Sequence, residues 1–411
     1  MANSDFLRYW ASAILNGFGG YVGALAVPLC AVLLLKATPA QMGMLGAAAA
    51  MPFALFALPA GVVLDRNRKL PILLASKALQ AIALFSIPLA YWFGALSVSW
   101  MYAVAFISGA CNVIGGGAEQ VFLTNLIGRE RLMDAQSKFA ATDSGARLLA
   151  PGLAGVLIQW LTAPYAVLLN ALGFVASILL LRNLKAADPK PAPSDKHPLR
   201  DIRDGLRFIW DQPLLRTLAW SAGAWHILFY GYAALHVIFA TRELGMTPGM
   251  LGVAHMIGGL GVLASSMMLK PLTRRYGPGG TLLIGMGLTA VAFTLTPLIP
   301  ANLFGSQMAS AAACAAMSFF LDCGVMLFFM PYSAMRQKVT PDAYLGRMVS
   351  TMRFLTIAVA PLGALSAGYL GEHFSVRAAM ACVAVGGILL TACMAMAASM
   401  HEPRPAAALP S

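Results

Sequence analysis

Residues 9–35 read YWASAILNGFGGYVGALAVPLCAVLLL, an apolar run with no formally charged residue in it. A helix crosses the ~30 Å hydrocarbon layer of a bilayer with about 20 such residues, and a helix buried in a soluble domain seldom needs so many. Runs of the same kind recur outward from this one. They place twelve spans at 9–35, 40–64, 70–93, 98–126, 138–161, 164–182, 214–241, 248–272, 280–299, 306–333, 346–370 and 375–399. The first is too long for the core of a cleaved signal peptide and is read as a retained helix.

The composition agrees. Of 411 residues, 59% are hydrophobic and 11% charged, against about 25% charged in an ordinary soluble domain. Most of the chain therefore has no aqueous surface to cover. The net charge of +12 would suggest nucleic acid on a soluble protein, but the basic residues are scattered between apolar spans and no nucleic-acid partner is expected. They report orientation instead. With the amino terminus in the cytoplasm, 22 Lys and Arg fall on the cytoplasmic side and three (Lys36, Arg242, Arg377) on the outer side. That asymmetry predicts cytoplasmic termini and an even number of spans.

Most connections are short. The exception, residues 183–213, holds Pro189, Pro191, Pro193 and Pro198 among many charges, which is linker composition. Its second part spaces Leu199, Ile202, Leu206, Ile209 and Trp210 as one helix would, so it is either an amphipathic helix on the membrane surface or one packed on neighbouring loops. The linker divides an amino-terminal bundle (1–182) from a carboxy-terminal one (214–411).

The two parts repeat. Thr38-Pro39-x-x-x-Gly43 recurs as Thr247-Pro248-x-x-x-Gly252, 209 residues on; the basic turn 65–69 falls opposite Arg274 and Arg275 at that offset; Pro151 meets Pro361 at 210. One spacing kept by three landmarks predicts two six-helix bundles in parallel repeat, an all-α transporter architecture.

The turn Gly61-Val-Val-Leu-Asp65-Arg66-Asn-Arg68-Lys69 resembles the G-x-x-x-D-R-x-G-R-K signature of the major facilitator superfamily, one position short and lacking its second glycine. Residues 272–277 are a degenerate second copy. Arg147-Leu-Leu-Ala150-Pro151-Gly152-Leu-Ala154-Gly155, the linker stretch from His197 to Phe208, and Pro341-Asp342-x-x-Leu345-Gly346-Arg347 are similar to the drug-efflux branch, which includes macrolide and enterobactin-type siderophore exporters. The span 5 stretch approximates the antiporter signature G-P-x-x-G-G, with Ala150 and Ala154 in place of two glycines. The resemblance implies that Gly61, Asp65, Arg66, Arg68 and Lys69 form a gating turn, with the start of span 11 near Asp342 and Arg347 as its partner. It also implies that Asp143, Arg147, Pro151, Gly152 and Gly155 form the span 5 motif, and that spans 1, 4, 7 and 10 line a cavity.

Polar residues on those spans are the candidates for substrate contact: Asn16, Tyr21, Asn112, Glu119, Trp225 and Tyr230. The glycines around them serve close packing or local bending. Asp322 and His226 stand near mid-span. An ionisable group at that depth costs roughly 2.5–3.5 kcal/mol on insertion scales and so faces a wet cavity or a partner, which makes the two candidates for carrying a coupling proton. Asp143 and Arg147, at i and i+4, are spaced for an intrahelical pair. Lys77 either pairs with Glu119 or extends to the interface. His236 and His255, with no carboxylate beside them in sequence, make a weak metal signal.

All six cysteines lie within spans, and no P-loop, HExxH or strand-borne dinucleotide motif occurs. Neither a cofactor nor a metal is expected, and the chain is not read as an enzyme. The expectation is a monomeric secondary transporter of the inner (plasma) membrane that exports a small amphipathic molecule, drug-like or siderophore, against protons. A dedicated siderophore exporter, a proton-coupled importer and a non-transporting receptor or scaffold are the rival readings.

Overall fold

A computed structural model describes residues 4–128, 132–184 and 198–397. Helices α1 (Ser4–Leu29), α2 (Pro39–Arg66), α3 (Lys69–Trp92), α4 (Val98–Ile127), α5 (Leu132–Leu161) and α6 (Ala163–Leu181) form the first bundle. After α7 (Pro198–Asp211), the second is built from α8 (Pro213–Ile238), α9 (Pro248–Leu295), α10 (Gln307–Lys338), α11 (Asp342–Ile357), α12 (Ala360–His373) and α13 (Val376–Met396). Local chemistry sets many of the ends. Thr38, Ser97, Thr247 and Ser375 each accept a backbone N–H in the first turn of the helix they precede, satisfying a donor that would otherwise be orphaned. Gly128 stops α4 at φ 72°, a conformation that glycine adopts without a Cβ clash.

The repeat read from Thr38 and Thr247 extends to the backbone. Both α1 and α8 run into a π-helical turn, Cys30–Leu34 and Phe239–Glu243, followed by a left-handed residue, Lys36 (φ 50°) and Gly245 (φ 66°). Ala37 N–H donates to Ala31 O and Met246 N–H to Ala240 O, each at 2.9 Å. Every one of these pairs keeps the offset of 209.

Ten helical runs among the described residues are long and apolar enough to cross a membrane, where the sequence predicts twelve spans. The difference has physical causes. The predicted spans at 248–272 and 280–299 both fall in α9 and make one of the ten runs: two helices meet without a gap at Gly277, whose φ of 71° is non-helical, before Pro278, and their 48 residues, at 1.5 Å each, suffice for two crossings of roughly 30 Å. Helix α5, with Asp134, Lys138, Asp143 and Arg147 up to its middle and Pro151 and Gln159 beyond, is the predicted span missing from the ten. The predicted span 346–370 is one of the ten runs, Arg347–His373, although α11 ends at Ile357 and α12 starts at Ala360, just before Pro361.

Within the first bundle α1 packs on α5 and α6, α3 on α4 and α6, and α2 on α4; within the second, α9 packs on α10 and α13, and α8 on α12 and α13. The bundles meet along two seams, α2 with α12 and α5 with α9. Glycine permits both. A Cβ on Gly43 would lie 2.5 Å from Ala364 O and 2.8 Å from Gly368 Cα, and one on Gly252 would lie 2.5 Å from Pro151 O and 2.9 Å from Gly155 Cα. These equivalent contacts relate α5 to α12 by 213 residues, so Pro151 and Pro361 sit about one turn out of register.

Helix α7 packs on α11: Gly205 lies against Thr351, and Phe208 stacks on Tyr344 at 5.0 Å. Its opposite side leaves Leu206 and Trp210 exposed. Elsewhere Ile82, Trp160, Met267 and Leu389 are more than half exposed, an apolar exterior that suits lipid rather than water.

Candidate functional site

A cavity of about 720 Å³ lies between the bundles. Asn16 from α1, Lys77 and Gln80 from α3, Ser108, Asn112 and Glu119 from α4, and Asn170 from α6 make its polar wall; Phe229, Tyr230, Tyr232 and His236 from α8, His255 from α9 and Asp322 from α10 face them. Across one end the bundles are in contact. Ala40 N–H donates to Glu372 Oε2 (3.2 Å), Gly249 N–H to Gln159 Oε1 (3.2 Å), and Arg242 Nη2 to Val32 O (3.5 Å). Toward the other end, Gly61, Gly116 and Gly145 have open space where a side chain would be. The cavity is closed at the end of the Thr38 and Thr247 turns and open at the end of the basic turn.

On the polar wall, Asn16 donates from Nδ2 to Ser177 Oγ (3.2 Å), and Ser177 shares a 2.5 Å hydrogen bond with Ser12. Asn170 was not singled out from sequence. It sits in the groove that Gly19 and Gly23 leave on α1, where a Cβ on Gly23 would stand 2.5 Å from its Nδ2; packing therefore accounts for these two glycines. The Oδ1 atoms of Asn16 and Asn170 and the Oγ of Ser108 are buried without a protein partner. Lys77 takes the pairing alternative, its Nζ 3.9 Å from Glu119 Oε1.

On the facing wall, Asp322 makes no hydrogen bond or ion pair among the described residues. A Cβ on Gly258 of α9 would lie 2.7 Å from its Oδ2, and His255, Arg147 and Tyr232 interact electrostatically with it. His255 is in turn edge-on to His236, with ring centroids 5.5 Å apart. The carboxylate absent from the sequence neighbourhood of these two histidines comes from a third helix. Among the described residues no His, Cys, Asp and Glu cluster has the geometry of a metal site.

Several predicted placements need correction. His226 stands apart from Asp322: its Nδ1 is 2.7 Å from Ala222 O and its ring abuts Phe329 and Trp225. Trp225 is 3% exposed, stacked on Phe229 at 4.8 Å and Phe328 at 5.6 Å inside the second bundle. Tyr21 faces α5 rather than the cavity. Its Oη donates to Asp143 Oδ1 (3.0 Å) and Arg147 lies over its ring at 5.4 Å; the expected Asp143–Arg147 pair is replaced by this shared contact with Tyr21. Pro151 and Gly155 form the α5–α9 crossing, and Gly152 faces Met256. At the open end Arg66 and Arg68 are exposed, while Lys69 Nζ donates to Leu64 O and Asn67 O, ending α2. The side chains of Asp65 and Asp342 lie outside the described residues, and with them the expected partnership between the turn and the start of span 11.

The Major Facilitator Superfamily model matches residues 9–321 and 229–411. The chain belongs to the Major Facilitator Superfamily. Members are membrane transporters rather than enzymes, and this one is a multi-pass protein of the inner (plasma) membrane. It is 26% identical to the multidrug efflux pump Tap of Mycolicibacterium fortuitum, over 92% of each chain. It is 24% identical to the enterobactin exporter EntS of Citrobacter koseri, over 84% of this chain and 81% of that one. Among solved structures, the nucleoside transporter NupG superposes with a TM-score of 0.78 at 12% identity, over 98% of this chain and all of that one. A bacterial homologue of the iron transporter ferroportin superposes at 0.72 and 17% identity, over 95% and 99%. These last two likenesses concern the fold.

Proposed function

We propose that this Major Facilitator transporter is a monomeric exporter of a small amphipathic organic molecule, drug-like or siderophore, that exchanges it for protons by alternating access. In this reading α9 crosses twice and α5 once, giving twelve crossings with both termini cytoplasmic, and the open end of the cavity faces the cytoplasm. The amphipathic character of the cargo follows from the walls, one rich in amides and charge, the other in Phe229, Tyr230 and Tyr232. The likeness to both an efflux pump and an enterobactin exporter supports export and leaves either cargo class open.

One observation carries the coupling: Asp322 stands unpartnered on the wall of a cavity closed at one end. An ionisable group near mid-span lines the cavity rather than facing lipid, and a carboxyl that alternately faces two solutions can carry a proton across. In proteoliposomes, Asp322→Asn is expected to abolish transport driven by a pH gradient. Undiminished coupling in that variant removes Asp322 from the mechanism.

A further inference from the structure

Helix α9 passes three marks in succession. At Gly252 it crosses α5 against Pro151 O and Gly155, part of the closed seam. At Gly258 it meets the Asp322 carboxylate. Midway, three residues from each, is His255, which lines the cavity with Asp322. Each step of three advances about 4.5 Å and shifts about 60° around the helix, from the side against α5 at Gly252 toward the side against α10 at Gly258. His255 therefore stands between the closed end and the carboxylate.

We infer that His255, paired with His236, is the relay by which a proton entering from the closed end reaches Asp322. This rests on the reading of Asp322 as the proton carrier. The nitrogens suit the task. His255 Nδ1 is 2.9 Å from Leu251 O, and a carbonyl only accepts, so Nδ1 carries a hydrogen and Nε2 keeps its lone pair. His236 is 6% exposed, with Nε2 3.7 Å from Cys314 Sγ and its ring stacked on Tyr232 at 5.1 Å. Two imidazoles 5.5 Å apart oppose a second positive charge, so only one of the pair can carry the relayed proton at a time. The groups facing the pair are Tyr232 from α8 and Cys314 and Asp322 from α10; Arg147 from α5 acts on Asp322 and favours its carboxylate form, which is the form able to accept a proton.

When the closed end opens, His255 Nε2 takes a proton from water and becomes imidazolium. The same Nε2 proton then moves to a carboxylate oxygen of Asp322, leaving a neutral imidazole and a carboxylic acid; the other hydrogen stays bonded to Nδ1, which donates it to Leu251 O throughout. The test uses the full chain in proteoliposomes with ethidium as the probe, read as the ratio of flux driven by a pH gradient to counterflow at equal pH. His255→Gln is expected to lower this ratio by about tenfold or more, and Asp322→Asn to abolish it. A ratio unchanged in His255→Gln while Asp322→Asn loses coupling overturns the relay alone; a ratio unchanged in Asp322→Asn overturns the carrier. Nitrogen-15 spectra of histidine-labelled protein in nanodiscs need neither probe nor variant at 255. One proton shared by His236 and His255, with a titration displaced by Asp322→Asn, supports the relay. Independent titrations that are the same in both proteins overturn it.

Discussion

Lys77 keeps 5% of its surface, and its ammonium stands 3.9 Å from a Glu119 oxygen, an ion-pair separation longer than a hydrogen bond. The partners are unequally placed, since the Glu119 side chain is 36% exposed to the cavity. Removing the carboxylate strands a buried charge, whereas removing the lysine leaves a carboxylate that water can reach. Breaking a fully buried pair costs about 3–5 kcal/mol, and the partial exposure of Glu119 reduces this. Glu119→Gln should therefore lower the thermal midpoint in detergent more than Lys77→Met, and the double variant should recover part of the loss. The reverse order would show that the lysine is solvated in the folded protein. Charges in apolar runs are conspicuous, so Lys77, Glu119 and Asp322 could all be picked out from the letters. The pairing of Lys77 with Glu119 was one of two readings open to the sequence; the surroundings of Asp322 were not legible. Lipid and protein interior are equally apolar, so a span such as α8 has no polar stripe to tell its inner face from its outer one. For that reason His226 and Trp225 were expected in the cavity, and His255 was not joined to Asp322.

Elements were more legible than faces. Capping threonines, prolines at helix starts and the offset of 209 are local signals, and they survive into the backbone down to the two π-turns. What eluded the sequence was how little separates neighbouring elements: the two helical parts of α9 meet at the single non-helical residue Gly277, and α11 and α12 part at residues 358–359 within one apolar stretch. The glycine crossings are where an element-scale prediction can be made. Gly43 and Gly252 each approach the facing backbone so closely that a Cβ would stand 2.5 Å from a carbonyl oxygen, and backbone cannot swing aside as a side chain can. Gly43→Leu and Gly252→Leu should therefore disfavour the closed end and shift the population toward opening there. A ligand or mutation worth ~1.4 kcal/mol of difference between two states changes their ratio tenfold. Spin labels on the turns at residues 37 and 246 should report longer distances in both variants. Distances unchanged from the parent protein, in variants that still fold, would mean that these seams do not hold the end shut.

At the scale of the whole molecule, the charge asymmetry between loops and the state of the cavity become one statement. The basic turns lie at the end where the bundles stand apart, and the contacts of Ala40, Gly249 and Arg242 hold the other end together. If the basic end is cytoplasmic, the cavity now opens to the cytoplasm, the side on which an exporter collects its cargo. The two claims can be tested together at Gly116, which lines the cavity and has free space for a side chain. Native Cys382 and Cys393 are exposed and must first be replaced, together with the four buried cysteines. In that background Gly116→Cys should react with a membrane-impermeant maleimide in inside-out vesicles and resist it in right-side-out ones, with a rate ratio of about tenfold or more for a state favoured by ~1.4 kcal/mol. Combining it with Gly252→Leu should raise the right-side-out rate, because opening the sealed end exposes the same position to the other solution. Equal labelling from both sides in the parent background would point to a cavity with no closed end, and faster labelling from outside would reverse the orientation and, with it, the direction in which cargo is gathered.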